Sequence, residues 1–349
     1  MSRLRIGFVG CGGIALQHLR DLIAVPEARV VAACDPDGQT RERFSTLNHP
    51  AIEEAAARDE SIRALIEEGR KVAGSVEMFE SLDEMLAKVD LDAALILTPH
   101  TLHYEQIKRC LEQDLHVLSE KPMVCRSKHA RELIATARKL NRVLAVSYQR
   151  HFSPVYRYMK EVIDAGELGE VHYVSALLCQ NWYGAVLGTW RMDPNLAGGG
   201  ELMDSGSHVL DIILWTTGLR PVEVFARMEC FDQLVDVNTA LSLKFHNGAI
   251  GDIAIIGNTS IPFGEDLTIT GSRGSFIFRQ GEFVHLATSG KEVDLLLPEQ
   301  TSSPAENFVE SVMLETKLEI EPETAVWVAL ITEEAYRSVK TGSPITLLE

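Results

Sequence analysis

A short apolar strand pattern, Leu4–Val9, runs directly into Gly10-Cys11-Gly12-Gly13-Ile14-Ala15, and the residues after it turn helical in character. In a G-x-G-x-x-A turn the first glycine permits the tight bend and the second lets the backbone approach a pyrophosphate. The closing small residue lets the helix pack close to the strand. A helix starting there aims its N–H donors and positive dipole end at an anion. An acidic residue, Asp35, ends the next apolar run, 25 positions beyond Gly10, where a carboxylate accepts both adenosine-ribose hydroxyls. Strand, glycine turn, helix and acid together predict a dinucleotide on a βαβ unit. The bland alternative is an unliganded turn with Asp35 as an ordinary loop residue. The Asp35 charge repels a 2′-phosphate, so NAD is expected over NADP; Arg41 and Arg43 lie nearby and work against that preference.

Beyond the turn, short apolar runs alternate with helical patterns. Leu4–Gly10, Arg29–Cys34, Ala93–Leu97, Leu115–Leu118 and Val143–Ser147 read as strands, and Leu16–Val25, Leu102–Gln113 and Lys128–Leu140 as helices. That alternation predicts a parallel sheet covered on both faces over residues 1–150. Ser81 followed three residues later by Glu84 has capping-box form, so a helix starts near 81. Residues 45–75 form an insert whose Ile52–Lys71 stretch, dense in Glu, Ala and Arg, reads as surface helix.

The pattern changes near Arg150. After a helix, Pro154–Ala165, come Val171–Trp182, a Gly-rich loop and an apolar helix through Trp215. Long alternating runs follow: Val222–Phe231, Val237–Phe245, Ala249–Ile256, Asp266–Thr270, Ser275–Phe278 and Glu292–Leu297. His246-Asn247-Gly248 and Gly271-Ser272-Arg273-Gly274 punctuate them as hairpin turns. Residues 151–349 are therefore expected to form a second, α+β domain built on a large, mostly antiparallel sheet, closed by helices Ala305–Leu318 and Pro322–Lys340. The acid-rich stretch from Glu292 to Glu323 reads as solvated surface.

Of 349 residues, 33 are Lys or Arg and 50 are Asp or Glu, a net charge of −17. With no run of five basic residues, that balance argues against nucleic acid and anionic membrane surfaces as partners. The cysteines (11, 34, 110, 125, 179, 230) include no C-x-x-C, which supports neither a disulfide framework nor a zinc site and points to the cytoplasm. No metal is expected: His100, His103 and His116 lack clustered co-ligands.

Two segments carry chemistry. The run Ala93–Leu97 ends in Thr98-Pro99-His100, and Leu115–Leu118 ends in Ser119-Glu120-Lys121-Pro122. In an open parallel sheet ligands sit beyond the carboxyl ends of the strands, so Lys121 is placed to meet a substrate; the competing reading is a solvated turn lysine. In the second half, Gly198-Gly199-Gly200 leads into Asp204, His208 and Asp211 at i, i+4 and i+7. These would share one helix face, with a carboxylate one turn from an imidazole to orient and tune it. Spacing alone favours the polar stripe of an amphipathic helix.

Together these residues resemble the Gfo/Idh/MocA family of sugar and polyol oxidoreductases. The likeness rests on Gly10 to Ala15, Asp35, Thr98-Pro99…His103, Glu120-Lys121-Pro122, Tyr148-Gln149-Arg150…Phe152-Ser153-Pro154, Trp190-Arg191 and Gly198-Gly199-Gly200…Asp204…His208. The resemblance implies a Rossmann domain followed by an α/β domain with a large open sheet. It also implies roles. Gly10, Gly12, Gly13, Ile14 and Asp35 bind cofactor. Thr98 and Pro99 flank its nicotinamide side, His103 joins the cofactor set, and Glu120 helps hold ribose. Lys121 touches the cofactor and hydrogen-bonds the reacting oxygen, His208 is the general acid–base, and Asp204 binds a substrate hydroxyl and shares a proton network with the histidine. Arg150 and Trp190 line the substrate pocket. His100 stands where many members carry Asn, and the insert at 45–75 is longer than usual.

The implied reaction is hydride transfer between NAD(H) and a secondary hydroxyl or carbonyl of a sugar, cyclic polyol or sugar derivative. Rival readings are a catalytically idle dinucleotide-binding regulator on the same scaffold and a reductase of a non-sugar carbonyl or imine. For Arg150 and His151 a domain-hinge salt bridge is an equal reading, and for Trp182, Tyr183 and Trp190 packing ranks slightly ahead of sugar stacking. A long sheet with an exposed apolar face needs covering, so a homodimer or homotetramer built sheet to sheet is expected.

Overall fold

Strands this short and this apolar bury both faces, a cover that parallel pairing with crossover helices provides. The computed structural model describes residues 3–48, 60–300 and 302–348. Its first sheet pairs β1 (Leu4–Val9), β2 (Ala28–Cys34), β3 (Glu77–Phe79), β4 (Ala93–Ile96), β5 (His116–Ser119) and β6 (Leu144–Val146) in the order β3-β2-β1-β4-β5-β6, all parallel. The order reverses between β1 and β4, which opens a crevice at their carboxyl ends. The crossovers are α1 (Gly13–Ile23), α2 (Gly38–Thr46), α3 (Glu60–Ala73), α4 (Leu82–Lys88), α5 (His103–Glu112) and α6 (Ser127–Leu140). At α4 the Ser81 hydroxyl accepts from Glu84 N at 3.2 Å, while the Glu84 carboxylate accepts from Glu80 N. Only part of the expected insert helix falls within α3; residues 49–59 lie outside the described residues.

The second sheet runs β13-β12-β11-β7-β10-β9-β8-β14. Its strands are β7 (Val171–Gln180), β8 (Pro221–Glu229), β9 (Asn238–Phe245), β10 (Ile250–Ile256), β11 (Phe263–Gly271), β12 (Gly274–Arg279), β13 (Glu282–Ala287) and β14 (Ile345–Thr346). Every pair is antiparallel except β7 with β10. The helices of this half are α7 (Pro154–Asp164), α8 (Trp182–Val186), α9 (Pro194–Ala197), α10 (Gly206–Thr217), α11 (Pro304–Met313) and α12 (Glu323–Thr341). Met159 of α7, Ile213 of α10 and Ile331 of α12 share one core with Val174, Leu241, Ile253 and Ile269 of the sheet. On the opposite face, Tyr173 pairs with Ile250 and Leu177 with Ala254; Tyr173, Leu177 and Ile250 remain exposed.

Three expectations need correction. The strand expected at Glu292–Leu297 reduces to a single bridge between Leu286 and Glu292, and Leu296 is 88% exposed. The sheet edge is instead β13, joined to β12 by Gln280 and Gly281, both at positive φ as a two-residue hairpin requires. The chain past 300 is not all solvated surface, nor does it all pack with the second sheet. Ala305, Phe308 and Val309 of α11, with Ile320, are fully buried in the core of the first sheet beside Leu4, Phe8 and Ala15. An assignment of 151–349 to one unit therefore misses this return: α11 fills the helical layer that α1 leaves open. Among the described residues no helix is long and apolar enough to cross a membrane.

Candidate active site

At the end of β1, Gly10 has φ +100°, and a Cβ there would lie 2.7 Å from the Leu97 carbonyl oxygen, so the turn against β4 requires glycine. On its outer side the loop is open, since a Cβ on Gly12 or Gly13 would meet nothing within 4 Å. Helix α1 starts with no side-chain cap and no acid in its first turn, leaving its leading N–H groups free for an anion. The Asp35 carboxylate is fixed beside them, accepting from Cys11 N at 3.0 Å and Asp37 N at 2.9 Å. An open cradle, uncapped donors and a positioned acid fit a dinucleotide. Arg41 reaches the backbone carbonyls of Asp35 and Pro36 and pairs with Glu80 rather than with the Asp35 carboxylate.

Thr98 and Pro99 leave β4 half-buried at the same edge. His103, expected in the same set, sits deeper than these two. Its fully buried ring lies between the carbonyls of Thr98 (2.8 Å) and Pro122 (2.9 Å), clamping the loops after β4 and β5 together. Glu120 is also held from within: its Oε1 bonds His18 Nε2 of α1 at 2.8 Å, and its Oε2 accepts from Lys121 N. Burial works to raise the Glu120 pKa, but the His18 bond and charge hold it below the usual carboxylate value. His18 lies 102 residues from Glu120, a pairing no local pattern signals.

The two halves meet at Asp204. Its Oδ1 accepts from Lys121 Nζ at 2.7 Å, and its Oδ2 accepts from Arg191 Nε at 2.7 Å and Trp182 Nε1 at 2.9 Å. His100 Nε2 lies 3.8 Å from Oδ1. Asp204 is only 5% exposed; burial would raise its pKa, but Lys121, His100 and Arg191 hold it well below the carboxylate range. His100 bonds the Ala197 carbonyl through Nδ1 at 3.0 Å, and burial pushes its pKa down to about 3 despite the neighbouring Asp204. Trp190 stands edge-on to His100 at 4.8 Å.

His208 lies on α10, its ring edge-on to Tyr148 at 5.9 Å. Its Nδ1 is buried without a partner. Burial first, then the Lys121 and Arg150 charges, hold its pKa well below the histidine range, so the ring is neutral at pH 7. The expected polar helix face is not what forms. Asp204 precedes the helix, whose N-cap is Ser205, and bonds Lys121 instead of His208. Asp211 turns to His151 Nε2 (2.8 Å) and Thr324 Oγ1 (2.7 Å), a buried tie to the start of α12. Arg150 forms an ion pair with Glu265 of β11, which also accepts from the Tyr156 hydroxyl; Arg150 Nη1 is buried and unpartnered.

Glu201, which the sequence reading passed over, is fully buried beside this cluster. Gln180 Nε2 donates to its Oε1 at 2.7 Å and to Ser205 Oγ at 2.6 Å, while Oε2 has no partner. Burial raises its pKa to about 8, so it is a neutral acid at pH 7. The glycines before it are seated by Asp236, whose carboxylate accepts from Gly200 N (2.8 Å), Leu202 N (2.9 Å) and the Tyr336 hydroxyl (2.6 Å). A separate cleft of about 780 Å³, lined by Tyr104, His129, Leu234, Tyr336 and Lys340, opens behind Gly198 and Gly199. None of the residues assigned above to cofactor, catalysis or substrate lines it.

Comparison with known proteins follows the same division of the chain. Residues 4–148 match the family model for an oxidoreductase family with an NAD-binding Rossmann fold. Residues 156–277 match that for a GFO/IDH/MocA C-terminal domain. D-glucoside 3-dehydrogenase of Escherichia coli is 29% identical over 64% of this chain, which spans 56% of that relative's length. The scyllo-inositol 2-dehydrogenase (NAD(+)) of Bacillus subtilis is 23% identical over 86% of this chain and 81% of its own. Among solved structures, the WlbA dehydrogenase from Bordetella pertussis, in complex with NADH and UDP-GlcNAcA, superposes with a TM-score of 0.79 at 21% identity, over 99% of each chain.

Proposed function

This chain belongs to the Gfo/Idh/MocA family of NAD-binding oxidoreductases, and on that premise we propose that it transfers a hydride between NAD(H) and a secondary hydroxyl or carbonyl of a sugar, cyclic polyol or sugar derivative. The observation that carries this reading is the 2.7 Å contact between Lys121, at the crevice end of β5, and Asp204 of the second half, beside a neutral His208. The activities of the glucoside and inositol dehydrogenase relatives support the substrate class.

Gly10, Gly12, Gly13 and Ile14 would hold the pyrophosphate, Asp35 and Glu120 the riboses, and Thr98 and Pro99 the nicotinamide side. When bound, NAD supplies the acceptor and donor of hydride. The Lys121 ammonium donates to the substrate oxygen and stabilises the charge that develops there on oxidation. His208 takes the hydroxyl proton at Nε2, its Nδ1 being buried, and returns it in reduction. Asp204, pinned by Arg191 and Trp182, keeps the ammonium aimed. Asp35 favours NAD over NADP. Six free cysteines suit a reducing cytoplasm, and a second copy laid on the Tyr173–Leu177–Ile250 face would cover it. Only monomer in sedimentation equilibrium contradicts that assembly.

The test is NAD reduction by the purified protein across inositols, aldoses and uronic acids, with Lys121→Ala alongside and NADP as the comparison cofactor. Turnover with NAD that vanishes in the variant supports the reading. NAD binding without turnover of any sugar favours the idle regulator, and turnover only of a non-sugar carbonyl or imine favours the other rival.

A further inference from the structure

We propose that Arg191 receives an anionic substituent of the substrate, a carboxylate or phosphate, so that the preferred substrate is a sugar acid or sugar phosphate rather than a neutral sugar. The inference rests on the dehydrogenase reading and refines its substrate class. Lys121 and Arg191 both bond the one carboxylate of Asp204, and Arg150 is already paired with Glu265. The buried His100, His208 and Glu201 add no charge at pH 7. The single Asp204 carboxylate thus serves two cations at this wall, and Glu120 offsets Lys121 from the β5 side.

Arg191 is the member of the cluster that faces solvent: its side chain is 35% exposed, against 14% for Lys121 and 7% for Asp204. Only its Nε is bonded; among the described residues its two terminal nitrogens have no partner. The guanidinium lies over the Trp190 ring, 4.4 Å from its centroid, and Trp190 is braced edge-on by His100. Held on two sides with its fork free, it is preorganised for an oxyanion, which a guanidinium binds with two parallel hydrogen bonds. Because Lys121 Nζ and Arg191 Nε share one carboxylate, they lie at most about 8 Å apart, two hydrogen bonds plus the width of the carboxylate. A single sugar ring with its reacting carbon at Lys121 places a substituent across the ring within reach of Arg191.

Calorimetric titration of the NADH-loaded protein tests this with matched sugars: D-glucose, D-glucuronate and D-glucose 6-phosphate, and the corresponding galacto series. At least one anionic sugar is expected to bind about tenfold or more tighter than its neutral counterpart, and Arg191→Met to abolish that advantage. The carboxylate and phosphate arms identify which group is read. Equal affinity within every series, or an advantage that survives Arg191→Met, overturns the inference. NAD reduction with the same sugars tests the underlying reading separately, since turnover without anion preference leaves the dehydrogenase intact and removes only the role of Arg191.

Discussion

Glu201→Gln isolates the energetic consequence of a neutral acid buried beside the catalytic cluster. The substitution is nearly isosteric: the amide oxygen it introduces remains an acceptor for Gln180, and the amide nitrogen takes the place of Oε2, which has no partner. In the wild type, burial lifts the Glu201 pKa from an ordinary 4.5 to about 8. A carboxyl whose folded pKa is raised binds its proton more tightly in the native state. Stability is therefore complete below about pH 4.5 and is lost as pH rises toward 8, because the unfolded chain releases the proton first. At ~1.36 kcal/mol per unit the loss is on the order of 4–5 kcal/mol, an upper figure that relaxation and water entry will reduce. Urea unfolding at half-unit steps from pH 5 to 9 measures it, with the difference between wild type and Glu201→Gln removing every other titrating group. The variant's relative stability should climb across this range and level off above pH 8. Parallel pH curves for the two proteins would refute a protonated Glu201.

Three further outcomes follow from the same geometry. Gly200→Ala places a Cβ 1.8 Å from the Asp236 carbonyl oxygen; with backbone as the obstacle, the loss is expected at about 3 kcal/mol or more, read as a lowered urea midpoint, and an unchanged midpoint contradicts the seat described for the glycines. Asp35→Ser removes the carboxylate that repels a 2′-phosphate, so the NADP-to-NAD ratio of kcat/KM should rise at least about tenfold; a constant ratio would show that Asp35 does not read the cofactor. Because burial keeps His208 neutral well below the histidine range, log kcat/KM should have no acid limb between pH 6 and 7.5. An inflection near 6.5 that disappears in His208→Gln contradicts that environment.

Much of the fold was legible because it depends on local pattern. Apolar runs of strand length alternating with helical periods give the parallel sheet, and Asn247-Gly248 and Gly271–Gly274 mark hairpins. The β12–β13 hairpin escaped because its turn is Gln280-Gly281, a weaker signal than Asn-Gly. The leucines at 295–297 imitated a strand but find no neighbour to pair with. The return of α11 to the first core could not be read from its own sequence, since an amphipathic helix does not state which layer it covers. At the site, Gly10, Asp35, Lys121, Asp204 and His208 were placed by motif; in the structure Asp35 bonds Cys11 beside Gly10, and Lys121 bonds Asp204. Their partnerships were not legible. Helical spacing suggested Asp204–His208–Asp211, whereas the helix starts after Asp204, and both carboxylates bond groups distant in sequence. His18, Glu201 and the Arg191–Asp204 bond arise from contacts between elements, and no spacing rule reports a buried partner.

The central claim is that this crevice moves a hydride between NAD and a sugar or polyol carbon with Lys121 at the reacting oxygen. The most direct measurement takes the best sugar of the panel carrying deuterium at the reacting carbon and determines by mass spectrometry whether the label appears in the reduced NAD. The account predicts one deuterium per NADH formed, and a rate at least about a hundredfold lower in Lys121→Met with NAD affinity retained. NAD reduction without label transfer, or full transfer by Lys121→Met, would contradict it.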